Sequence, residues 1–350
     1  MTRHTTAAAR RHRAFTLVEL LVVIAIIGVL MGLILAGLRG AFGTARKTKE
    51  VNLLRGVVTA WTQYANNYEE NLLPGYLNTA TQSSWRVSYS NSAGTSLPAS
   101  LSQTYPWRLA RFMDDLTGTL LWTRTADDGL LADAATSEDW PAEPALPAWM
   151  SAAAGIPGSA VSLQPAFGYN GYYLGGWHDG TTGAELPRFA NARWTPVGGT
   201  ERRGELVATR LANIQRPSQM IVFSTATFRG PGNFRYASGT DDALPGNAWV
   251  VPPRLGSQSV WGPYEGSQAA LGGQGSEGGV ASLSMFQTGY TETGVLGVGV
   301  AQGVPTLRYT RQGAVGRADG STEAMNLPAM MDMQFWVNGA DTVDFAHQND

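Results

Sequence analysis

The chain contains no cysteine. No disulfide can staple its fold, and thiolate nucleophiles and cysteine-based metal sites are excluded. Charge is also scarce, at 15% of 350 residues, with a formal net charge of −2. Histidine is rare: beyond His4 and His12 near the start there are only His178 and His347. Two imidazoles far apart in sequence, with no thiolate beside them, do not make a zinc site. No G-x-S-x-G elbow is present to anchor a hydrolase triad. No repeat of fixed period is visible. These absences lead to an expectation of a non-enzymatic chain with no cofactor and no metal.

What is present is glycine, 42 residues of it, and aromatic residues at 10%. That balance suggests a β-rich, loop-rich globular part and argues against a helical bundle or a disordered tail. The one long hydrophobic run is residues 20–38, where no residue is charged. At about 1.5 Å per residue it makes a helix of roughly 28 Å, close to the hydrocarbon thickness of a bilayer. Glu19 stands at its edge. An acid inside a membrane costs on the order of a few kcal/mol and is kept there for a reason.

Gly28, Gly32, Ala36 and Gly40 recur every four residues in this run. Such a ridge lets a second helix approach closely. Gly37, Gly40 and Gly43 also cluster where the helix would leave the membrane, a place where it can bend. Ahead of the run lie Arg10-Arg11-His12-Arg13-Ala14-Phe15. Residues 1–14 carry four arginines and no acid, so their removal changes the net charge from −2 to −2 − 4 = −6. By the positive-inside rule the arginines are cytoplasmic and the rest of the chain lies across the membrane. A mildly acidic mature chain gives no reason to expect a nucleic-acid partner.

A secretory signal peptide has a shorter core and ends in a small-x-small site. Leu38-Arg39-Gly40-Ala41-Phe42 is a poor one. A plain single-span anchor explains neither Glu19 nor the basic cluster against Phe15.

The run from Phe15 to Gly28, FTLVELLVVIAIIG, resembles the signature of type IV prepilins and type II secretion pseudopilins. The resemblance implies cleavage at the Ala14–Phe15 bond by a membrane prepilin peptidase. Ala14 stands where the family usually has Gly. It implies N-methylation of the Phe15 amine, and gives Glu19 the family's role of neutralising that amine on a neighbouring subunit during assembly. Implied partners are the peptidase, other pilin or pseudopilin subunits in a homo-oligomeric filament, an inner-membrane assembly platform and membrane lipid. The class that differs is a single-span membrane-anchored binding domain that does not polymerise.

After residue 39 the pattern continues as a helix. Val51, Leu54, Val58, Trp61, Ala65 and Tyr68 step by threes and fours along one face. Lys47, Lys49, Glu50, Arg55 and Glu69 fall off it. Asn66-Asn67 and Pro74-Gly75 mark the exit. Residues 78–104 read as a loop or irregular strands, and Tyr105-Pro106-Trp107 opens a short helical pattern through Leu109, Phe112, Met113 and Leu116. Residues 127–157 read as an excursion with a short helix. Strand-like runs fall at 167–174, 220–225, 280–286, 295–300, 306–309 and 333–337. A long helix followed by strands predicts an α+β fold, with the helix packed across an antiparallel sheet bearing loop-rich insertions. The expected divisions are a leader at 1–14, a helix at 15–70 that spans the membrane at about 17–38, and an extracytoplasmic globular domain at 71–350.

Three later segments are similar to large prepilin-like proteins: Phe167-Gly168-Tyr169-Asn170-Gly171-Tyr172, Arg216-Pro217-Ser218-Gln219, and Arg308-Tyr309 followed by Asp319-Gly320. In the last, Tyr309 takes the place of the family's His. Asp319-Gly320 itself reads as a hairpin turn. Gly273-Gln274-Gly275-Ser276-Glu277-Gly278 has G-x-G-x-x-G spacing but is followed by a strand-like run, so it reads as a loop. Asp114-Asp115, Asp127-Asp128 and Asp241-Asp242 read as turns or caps, since none has the spacing of a calcium loop. Tyr172, Tyr173 and Trp177 read as core filling before carbohydrate contacts.

Processing at Ala14–Phe15 is the first testable outcome. Mass spectrometry of the mature protein should find Phe15 at the N-terminus. A chain that still starts at Met1, or starts after residue 38, would contradict it.

Overall fold

The structure, a computed structural model, describes residues 17–90, 94–122, 159–180, 186–229, 243–259, 261, 303, 305 and 312–348. Its first element is a single helix, α1, Leu17–Asn67, of 51 residues. No proline occurs before Pro74, so nothing in this stretch removes a ladder hydrogen bond. The helix stops where Glu69 and Glu70 take left-handed φ of 54° and 65° and the Glu70 N–H donates to Ala65 O at 2.8 Å. The chain packs as two units, Met1–Arg46 and Lys47–Asp350. The second half of α1 therefore belongs to the globular unit.

That unit is built on four strands: β1 Phe167–Tyr169, β2 Ile221–Thr225, β3 Gln312–Arg317 and β4 Thr322–Asn326. They lie in the order β1-β2-β3-β4, every neighbour antiparallel. The register Tyr169↔Phe223↔Gly316 places these three residues on one face. This is the face that α1 covers. Leu54, Val58, Trp61 and Ala65 are all fully buried, and they cluster with Phe167, Tyr169, Phe223 and Ala314. The Trp61 indole N–H donates to the Tyr169 hydroxyl at 3.2 Å. Small residues on β3 let the helix come close. A methyl group on Gly316 would sit 2.4 Å from Val58 Cγ2.

The opposite face is buried as well. Val315 and Met325 point there, into a cluster with Trp177, Trp249 and Trp336. Trp177 lies between Tyr76 and Tyr172, with ring centroids 4.6 and 4.7 Å away and planes within 15° and 6°. Tyr172, Tyr173 and Trp177 are thus core residues, as their sequence reading has it.

The hairpin between β3 and β4 turns on Asp319-Gly320. The Ser321 N–H donates to Asp319 Oδ1 at 2.9 Å and Gly320 has φ of +90°. An aspartate followed by glycine suits such a turn because the glycine enters the left-handed region without cost.

Several expectations are corrected. Tyr68 lies past the helix end and is 39% exposed, its ring tilted 38° against that of Tyr64. Glu50, placed off the buried face, is only 1% exposed. The buried stripe is wider than the sequence suggests, taking in Val57, Ala60 and Tyr64. The segment from Tyr105 to Trp122 packs on the helix beside the sheet and covers that second flank. Lys49 lies over the Trp122 ring at 5.5 Å.

Within 78–104 a helix forms at Thr79–Ser84, because Asn78 Oδ1 caps it by accepting from the Thr81 N–H at 2.7 Å. The strand-like 333–337 is instead a 3₁₀ turn, Met333–Phe335. Asp332 Oδ1 accepts from the Gln334 N–H at 2.9 Å, and this local cap outweighs β propensity. The run 167–174 is a strand only over Phe167–Tyr169: the Asn170 N–H still donates to Val222 O at 2.8 Å, and the chain then turns, with the Leu174 N–H donating back to Asn170 O at 3.0 Å. The runs 280–286, 295–300 and 306–309, the Gly273–Gly278 segment and the excursion 127–157 lie outside the described residues.

Two histidines titrate out of range in this core. His178 packs edge-on to Trp85 at 4.8 Å, and His347 Nε2 is 2.9 Å from the Tyr173 hydroxyl. Burial lowers each from 6.5 to about 4.

Two outcomes follow from this packing. Gly316→Ala should cost about 1–3 kcal/mol by overpacking, read by urea denaturation, and Val58→Ala in the same chain should recover part of it. Stability should also depend on pH. Between about 4 and 6.5 the unfolded chain binds protons at both histidines and the folded chain does not, so stability is full above 6.5 and falls as pH drops to 4. Denaturation midpoints at pH 7, 5.5 and 4 should decline, less steeply in His347→Gln.

Candidate functional site

In the Met1–Arg46 unit the informative surface is the start of α1. Every residue from Leu17 to Leu33 is exposed. Glu19 is the one polar side chain among them, and the rest are aliphatic, Met or Gly. Leu17 is 80% exposed, Val29 65% and Leu33 69%. An apolar surface this long does not remain open to water, so lipid or protein must cover it.

Glu19 lies in the first turn of α1. The positive end of the helix dipole favours an acid there. Gly28 and Gly32 lie one above the other along the helix, and a methyl group on either would meet nothing within 4 Å. They leave a bare strip on the helix surface. Ala36, the next member of the ridge, lies outside the described side chains, and Ala14 and Phe15 outside the described residues. The described members, Glu19, Gly28 and Gly32, are set out along one helix and do not converge into a pocket. Chemically, the arrangement offers one negative charge and a close-packing ridge on an apolar rod.

Among the described residues no helix is long and apolar enough to cross a membrane. The side chains described in the apolar part of α1 extend only from 17 to 33, so the expected span at about 17–38 lies partly outside them.

The globular unit shows structural uses for polar residues that the sequence left unassigned. Arg108 is 2% exposed, and among the described residues its titratable neighbours are tyrosines. Its guanidinium donates to Ser102 O at 2.8 and 3.1 Å and to the carbonyls of Gln103 and Pro74, under the Tyr89 ring. Burial lowers its pKa. Nothing in the flanking sequence marks Arg108 as a staple. Asn170, in the FGYNGY segment, donates through Nδ2 to Ile221 O and Trp336 O at 3.0 and 2.8 Å.

Asp115 caps the helix Leu116–Leu120 by accepting from the Gly118 N–H at 2.8 Å. The pairs at 127–128 and 241–242 and Tyr309 lie outside the described residues. Among the described residues no three His, Asp or Glu side chains gather as a metal would need.

No curated protein and no solved structure matches the chain. Residues 9–35 match one family, the prokaryotic N-terminal methylation motif. The matched stretch takes in Arg10–Arg13, Ala14, Phe15, Glu19, Gly28 and Gly32, so the basic cluster, the lone acid and the first two glycines of the ridge fall within one motif, and that motif supports a type IV pilin-like or pseudopilin-type protein.

Proposed function

We propose that this chain is a structural, non-catalytic subunit of a type IV pilus-like or type II secretion pseudopilus filament. It enters the inner membrane as a prepilin. A prepilin peptidase cuts Ala14–Phe15, the new Phe15 amine is methylated, and an inner-membrane platform moves the subunit from lipid into the filament. The globular domain stays on the outer side of the inner membrane. The apolar half of α1 joins the filament core, close-packed along Gly28, Gly32 and Ala36, and Glu19 pairs with a neighbour's Phe15 amine. The observation that carries this reading is the exposed apolar run from Leu17 to Leu33 holding a single carboxylate within the matched motif.

The pairing follows from electrostatics. An amine entering an apolar core has lost its water, and a facing carboxylate offsets that loss. Breaking such a buried pair costs roughly 3–5 kcal/mol. Glu19→Ala should therefore leave leader cleavage intact and stop or slow assembly. Immunoblots of sheared filament fractions from wild type and mutant test it. Equal amounts of this protein in both fractions would show that the carboxylate does not direct assembly. If neither strain yields it in filaments, the anchored, non-polymerising domain is the better reading.

A further inference from the structure

Late in the chain, Gln348 is laid against Arg193 as an antiparallel bridge. The Gln348 N–H donates to Arg193 O at 2.8 Å, and the Arg193 N–H donates to Gln348 O at 3.0 Å. On their other side Arg193 and Trp194 pair with Arg203 and Arg202. The segment therefore lies on the rim of a short ribbon, apart from the four-stranded sheet. A bridge of one residue is a weak hold, and chain ends stay ordered only where something ties them down.

The tie is His347, which is 3% exposed. Its ring sits among Tyr173, Phe189 and Phe345, with centroids 5.9, 4.9 and 6.4 Å away. Its Nε2 is 2.9 Å from the Tyr173 hydroxyl. Phe189 has a left-handed φ of 67°. A bulky residue keeps such a backbone only where its surroundings hold it. Here the Tyr173 ring stacks on it at 5.6 Å and His347 meets it edge-on. Phe345 in turn packs edge-on to Trp194 at 5.4 Å. Three stretches of chain thus converge on one imidazole.

This cage suits a neutral ring. An imidazolium in it would be shut off from solvent among three aromatic rings, and burial disfavours the charged form. Of the titratable and charged groups on the surrounding stretches, the Tyr173 hydroxyl is the one that reaches the ring. Arg188 is engaged by Asp179 at 2.9 Å. Arg193, Arg254 and Asp344 do not move the titration of His347, which burial lowers to about 4. A proton therefore binds the ring more readily when the segment has left its cage.

We propose that Phe345–Gln348 is an acid-released strap, closed while His347 is neutral and lifted from the Arg193 strand when the ring takes a proton. The opening is local: it strips Arg193 of its outer partner and uncovers Phe189 and Trp194, and the four-stranded sheet stays folded.

Hydrogen exchange of the full chain in detergent, read by mass spectrometry at pH 6.5, 5.5 and 4, tests this once the pH dependence of exchange itself is divided out. Protection of the peptides carrying Arg193 and Gln348 should fall at least about tenfold from pH 6.5 to 4. At pH 4 these peptides should exchange faster than the strand Ile221–Thr225. His178→Gln, which removes the other buried histidine, should leave the fall unchanged. His347→Gln cannot take the proton, so its strap should show one level of protection at all three pH values. That level is high if the amide serves Tyr173 and low if it does not, and either agrees with the proposal. A fall that persists in His347→Gln would overturn it, as would constant protection in the unaltered chain. Exchange of the strap and Ile221–Thr225 at one common rate would overturn it too, because the event would then be global unfolding.

Discussion

An apolar helix with no partner of its own is the constraint on which the rest depends. From Leu17 to Leu33 every residue of α1 is exposed. Hydrophobic burial stabilises by about 25 cal/mol per Å², so a rod of aliphatic residues left bare forgoes stabilisation its sequence is built to gain. The chain therefore carries two kinds of helix surface in one element. The part after Lys47 is satisfied within the molecule by Phe167, Tyr169, Phe223 and Ala314. The part before it is left for another molecule to cover.

Much of this was legible in the residues. Periodicity gave α1 almost to its last turn, because a proline-free amphipathic pattern this long leaves no competing structure. The Asp-Gly turn was legible because turn chemistry is local. What sequence could not show was decided by partners far along the chain. Glu50 is buried although its place off the apolar face reads as polar, and residues of the segment 105–122 join the cluster around α1 from far along the chain. The run 333–337 is apolar enough for a strand, but Asp332 caps it into a 3₁₀ turn. Of the site, the motif residues were visible one by one. Their use was not, since it depends on molecules outside the chain.

The lack of cysteine shapes the interior. In place of covalent staples, single polar side chains gather carbonyls from separate segments. Arg108 joins residues 74, 102 and 103, and Asn170 joins Ile221 to Trp336. Asn338 does the same for Glu205, Asn213 and Gln215, accepting from the Gln215 N–H and donating to the other two carbonyls. Around them the aromatic rings, stacked or edge-on, fill volume with few rotatable bonds. Such a core is indifferent to the redox state of its compartment.

The distance in sequence between α1 and the strand beneath it has a kinetic side. Gly316 and Ala314, on which Leu54 and Val58 rest, come some 260 residues after the helix, and the Lys47–Gln312 hydrogen bond spans 265. A ribosome makes the helix first and the floor under it nearly last. Until then the apolar stripe at Leu54, Val57, Val58 and Trp61 has no sheet to lie on. Contacts so far apart close slowly, because the loop entropy is lost before the contact forms. The helix therefore gains its floor only when the hairpin of β3 and β4 folds beneath it, which ties the packing of the first element to the completion of the chain.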